Sequence, residues 1–181
     1  MSDLQPTHQL AKEAQSAYQR KDYLIAAQSF KKAAADYATA GENVKSAEMF
    51  NNSSVAFLQA GDTQAAFEAV EGTPEIFAQA GDVLHQAMAI GNRAAALEGL
   101  DRLDEAVTAY EQSADLLKEI GESEVRATVM QALSALQLRM GRQLEALATM
   151  NAGLAEVKRP NPAQRLAKKI LQVPFDYLKP R

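Results

Sequence analysis

The stretch Asp101–Gly121, DRLDEAVTAYEQSADLLKEIG, decides how the rest of the chain is read. Ala106, Tyr110, Ala114 and Leu117 recur at three- and four-residue spacing, which puts them on one face of an amphipathic helix. Shifted by 40 residues, the pattern returns: Ala106 falls on Ala26, Ala66 and Ala146, and Tyr110 on Phe30, Val70 and Met150. Gly121, at the helix end, falls on Gly41, Gly81 and Asn161. A period of about 20–50 residues marks a solenoid, in which each unit buries its apolar face only against its neighbours. The work expected of such a chain is binding.

Outward from that stretch, every segment reads as helix. Residues 7–19 place Leu10, Ala14 and Ala17 on one face, and Lys21-Asp22 makes a turn. Tyr23–Ala40 follows and ends at Gly41, where glycine reaches the left-handed cap conformation without penalty. A third helix, Val44–Ala60, shows Ala47, Phe50, Ser54 and Phe57 as its buried face. Asp62 or Thr63 can cap the fourth, which Gly72-Thr73-Pro74 interrupts. A kink or a restart is expected there, with Thr73 as the new cap and Pro74 in the first turn. Leu84–Glu98, Asp101–Gly121, Glu124–Met140 and Leu144–Val157 complete the series. The predicted organisation is a lead over 1–6, four helix pairs over 7–40, 41–80, 81–120 and 121–159, a capping helix over 160–172 and a tail over 173–181. In the tail, Phe175-Asp176-Tyr177-Leu178 is expected to fold back over the last pair or to meet a second chain. No stretch alternates with period two, so the fold class is all-α.

Composition narrows the function. Cysteine is absent, which removes disulfides, thiolate metal sites and cysteine nucleophiles. Tryptophan is absent and aromatics are few, a poor basis for stacking single-stranded nucleic acid. The net charge of −4 is uneven: Lys158 to Arg181 holds seven Lys or Arg against Asp176 alone, and the rest of the chain is acidic. An acidic body repels a phosphate backbone, so no nucleic acid is expected as partner. No signal-peptide core and no run of about 18 apolar residues is present, so membrane insertion is not expected and a cytoplasmic location is.

Small residues stand where paired helices would cross: Ala14, Ser54, Ala94 and Ser134 in each first (A) helix, and Ala26, Ala66, Ala106 and Ala146 in each second (B) helix. Helices approach to about 8–10 Å only where side chains are short. With the large apolar residue four positions after each B-helix alanine, this pattern resembles the tetratricopeptide repeat (TPR) family over residues 7–172. The unit departs from that family's usual form by being longer and by lacking its closing proline. AAQSFKKAAADYATAGE and AVTAYEQSADLLKEIGE are similar to the longer units of soluble NSF attachment proteins and related adaptors. The resemblance implies a right-handed superhelix of antiparallel helix pairs.

Catalysis is not expected. His8 and His85 stand far apart, and no metal-binding, nucleotide-binding or nucleophile motif is present, so neither metal nor cofactor is predicted. Asp101, Asp104 and Glu105 sit in a first helical turn, where the helix dipole favours carboxylates. Ser53 and Ser54 have no base within sequence reach.

The resemblance implies a non-catalytic scaffold that binds a peptide or helix of a partner protein in a concave groove lined by A helices. The flank expected to face that groove includes Asn51, Asn52, Val55 and Gln59, then Met88 and Asn92, then Gln131 and Arg139. Amides there can pair with the backbone of an extended peptide. A carboxylate clamp is not implied: Lys12 matches one position, but Gln15 stands where Asn is expected and Ala132 where a later cation would be. The alternatives are a structural module that self-associates through its ends, or a regulatory part of a larger protein. A monomer or weak homodimer is expected.

Overall fold

A computed structural model describes residues 4–158, 160, 162 and 164–166. Among them nine helices follow in order: α1 (Gln5–Gln19), α2 (Tyr23–Thr39), α3 (Asn43–Ala60), α4 (Thr63–Val70), α5 (Thr73–Gln79), α6 (Val83–Gly99), α7 (Leu103–Glu119), α8 (Ser123–Arg139) and α9 (Gln143–Ala155). Residues 162 and 164–166 are helical as well, and no described residue lies in a strand. Most of the capping helix expected over 160–172, and all of the tail, lie outside the described residues. Each helix packs against the next, except that α4 and α5 do so only weakly if at all, and α6 also packs against α3 and α4.

The backbone repeats at half the period of the side chains. Residues 21, 41, 61, 81, 101, 121 and 141 all take positive φ, one every 20 residues. At each, the next residue's N–H reaches back five positions: Asp22 to Ala17, Glu42 to Tyr37, Asp62 to Phe57, Asp82 to Phe77, Arg102 to Leu97, Glu122 to Leu117 and Arg142 to Gln137, at 2.8–3.0 Å. This is the Schellman closure, which satisfies carbonyls that a helix end leaves open. The side chain whose carbonyl accepts is buried in all seven cases. Five of the left-handed positions are glycine; Lys21 and Asp101 hold the conformation without it. Helix-to-helix connections are therefore alike within a pair and between pairs.

The crossing residues expected from the sequence are buried. Ala14, Ala26, Ser54, Ala66, Ala94, Ala106, Ser134 and Ala146 are all at most 2% exposed. Two recurrent hydroxyl bonds tie helices together: Ser53 Oγ donates to the Ala27 carbonyl at 2.9 Å, and Ser113 Oγ to that of Ala87 at 2.7 Å. Ser134 Oγ likewise donates to the Ala146 carbonyl, 2.8 Å away. Ser54, its equivalent two repeats earlier, finds no hydrogen-bond partner among the described residues. A buried hydroxyl without a partner is destabilising, whereas a paired one contributes. Ser54→Ala should thus leave stability unchanged or raise it by up to about 1 kcal/mol, while Ser134→Ala should lower it by about 1 kcal/mol. Urea denaturation of both variants reads the difference; equal losses would contradict it.

Two local expectations change. Asp62 caps α4, accepting from the Ala65 N–H at 3.0 Å, as does Asp82 for α6 through His85 at 3.1 Å. Thr73 does not cap α5: its hydroxyl turns back to the Val70 carbonyl at 2.9 Å, and left-handed Gly72 precedes the helix instead. The burial expected for Phe50 is also corrected, since it is only half-buried. Helix α3 is packed by α2, α4, α5 and α6, so its buried surface wraps past one face.

Candidate functional site

The A helices α1, α3, α6 and α8 carry the residues singled out for a groove. Asn52 and Val55 of α3 are half-buried and come together with Gln15 and Tyr18 of α1 and Phe30 of α2 around a cavity of about 220 Å³. Tyr18, Phe30 and Val55 make its apolar wall; Gln15 and Asn52 place amides at it. A side chain of a guest fits such a space, and the amides offer both donors and acceptors to the guest's backbone.

The other expected residues do not join that cavity. Asn51 is 5% exposed, which corrects its assignment to the open flank. Its Oδ1 accepts from Asn92 Nδ2 at 2.8 Å, tying α3 to α6. Arg139 Nη1 donates to Glu98 Oε1 at 2.7 Å and ties α8 to α6 in the same way. Both ties join residues 41 apart, one beyond the sequence period. Glu98 Oε2 also accepts from the Tyr110 hydroxyl at 3.3 Å. Burial raises the Tyr110 pKa, helped by the charge and hydrogen bond of Glu98. Asn51, Asn92 and Arg139 therefore hold successive repeats in register. Gln59, Met88 and Gln131 are exposed and outside the cavity.

Residues 85–155 match the tetratricopeptide repeat family model. Two solved structures share the architecture over 94% of this chain and 87% of theirs, with TM-scores of 0.75 and 0.76 and 17% identity. The chain has the tetratricopeptide-repeat fold. Both are structures of the nearly identical TPR-like repeats of a Podosopora anserina protein described as a kinesin light chain, the second of them a single-substitution variant. No curated protein sequence matches the chain. TPR repeats in general mediate protein–protein interaction. Among the described residues, no helix is long and apolar enough to cross a membrane.

Sequence reasoning missed Gln15, Tyr18 and Phe30 as partners of Asn52 and Val55. Tyr18 and Gln15 lie 37 residues from Val55 and Asn52, near the repeat length, so a search for A-helix neighbours one repeat apart would have paired them. Phe30 gave no such signal, because at 2% exposure it reads as core and reaches the cavity only from below.

Proposed function

We propose that this chain is a non-catalytic scaffold that binds a segment of a partner protein on its A-helix face, with the Asn52–Val55 cavity as the anchor point. The observation that carries the reading is the cavity itself: an apolar wall with amides at its rim, between two A helices one repeat apart. An extended or helical segment could insert one apolar side chain against Tyr18, Phe30 and Val55 while its backbone pairs with Gln15 and Asn52. The family's general use of its repeats for protein binding agrees with this.

Peptides selected from a random library against the intact protein supply a probe. Val55→Arg puts a long cation into the cavity from a half-buried position, so it should weaken the selected peptides by roughly tenfold or more, about 1.4 kcal/mol, with an unchanged melting temperature. Asn52→Ala should weaken them less. Asn92 is a poor choice for such a test, since removing it also leaves Asn51 without its partner. Peptides that bind Val55→Arg as tightly as the parent would move the site elsewhere.

A further inference from the structure

A second cavity, of about 330 Å³, lies between α4, α6 and α7. Its walls are Phe67 of α4, Arg93 and Leu97 of α6, and Arg102, Glu105, Thr108, Ala109 and Gln112 at or along α7. At about 100° per residue, Arg93 and Leu97 are turned by roughly 100–180° round the α6 axis from Met88 and Asn92. The A-helix face and this cavity are thus separate surfaces.

The B helix beside the cavity is broken in two. Helices α2 and α7, the equivalent B helices, each run for 17 residues, but α4 runs for 8. Glu71 is extended and Gly72 left-handed, and α5 then resumes against α3 and α6, the same two helices that α4 packs on. No residue of α5 lines the cavity.

Most of the polar groups around it are already engaged. Arg102 donates to both oxygens of Glu105, at 2.7 and 2.6 Å, and its guanidinium lies 4.9 Å from the Phe67 ring centre. Thr108 donates to the Asp104 carbonyl at 3.0 Å. Two donors remain. The side chain of Arg93 is only 28% exposed, makes no hydrogen bond among the described residues, and has as its nearest carboxylate Glu75, a long 3.8 Å away and 61% exposed. Gln112 offers an amide on the same wall. Phe67, Leu97 and Ala109 supply an apolar floor.

We propose that this cavity binds a carboxylate joined to an apolar group. The carboxylate is taken by Arg93, whose planar guanidinium matches its two oxygens, with Gln112 as a further donor. The apolar group lies on Phe67, Leu97 and Ala109. Glu75 acts as a loose internal competitor that the ligand displaces. The same chemistry occurs in a free small acid and in an acidic residue beside an apolar one in a protein segment.

The test titrates the intact protein with 3-phenylpropanoate, with its neutral amide, and with the peptide acetyl-Gly-Gly-Glu-Phe-Gly-Gly-amide, following the Arg93 Nε–H and Ala109 amide signals by NMR. The acid or the peptide should shift both signals while the neutral amide binds at least roughly tenfold more weakly. Arg93→Met should remove binding, and Glu75→Gln should strengthen it several-fold; a merely structural Arg93 would give no gain from Glu75→Gln. Thermal melts confirm that both variants are folded. Binding of the peptide identifies a protein segment as the ligand; binding of the free acid alone identifies a small acid. Silence of both, equal binding of the neutral amide, or no response to the Glu75 and Arg93 substitutions overturns the proposal. Because Val55 is remote from this cavity, Val55→Arg should leave these titrations unchanged, which separates this result from the fate of the A-helix site.

Discussion

Replacing Phe77 with alanine should cost about 3–5 kcal/mol, the range for removing a buried aromatic side chain. Phe77 is 0% exposed and forms a core cluster with Val70, Ala47 and Ala89, flanked by Val44 and Ile76. Its ring also stacks on His85, with 5.4 Å between ring centres. The helix that carries it, α5, has 7 residues, far below the length at which a helix persists alone in water. Packing must therefore hold α5, and Phe77 is its largest anchor. Losing the ring should free α5 from α3 and α6 and loosen the chain where its two halves join. Urea unfolding followed by circular dichroism measures it. Phe50→Ala is the comparison: Phe50 is half-buried and should cost clearly less. A Phe77 loss no larger than that of Phe50 would mean that α5 is not part of the core.

Ala106→Leu should cost about 1–3 kcal/mol by overpacking. Ala106 and Ala94 are both 0% exposed and share one cluster with Ile90, Leu97 and Tyr110, where α6 and α7 pack together. Three added carbons there must push the helices apart or force neighbouring side chains off their preferred rotamers. Glu111→Leu, on the exposed side of α7, should change stability by no more than about 0.5 kcal/mol. Thermal melts of the two variants decide it. Equal effects would mean that the crossing tolerates volume.

Helix positions and the core stripe were legible because they depend on local patterning. The period of 40, the small residues at crossings and the break at Gly72-Thr73-Pro74 are all one-dimensional signals. They led to helix ends within about two residues of those observed, an ordinary uncertainty for helix boundaries. The 20-residue backbone period was present in the glycines at 41, 61, 81, 121 and 141, but Lys21 and Asp101 hid it by taking the same conformation without glycine.

The candidate site was legible only in part. A helical wheel divides a helix into one buried face and one open face, yet α3 and α6 are each packed from several directions. Asn51 therefore went to the core, and Asn92 and Arg139 went to ties between repeats, because their partners lie 41 residues away. The sequence announces the break at Gly72-Thr73-Pro74, but only the packing shows that α5 resumes on α3 and α6, with Phe77 among Val70, Ala47 and Ala89. By itself, then, the sequence determined that the chain is a stack of helix pairs with alanine at their crossings, since period and side-chain size suffice for that. Only the tertiary structure decided which polar side chains are spent holding repeats together and which, like Asn52 and Arg93, are left facing a cavity, because that depends on which helices meet.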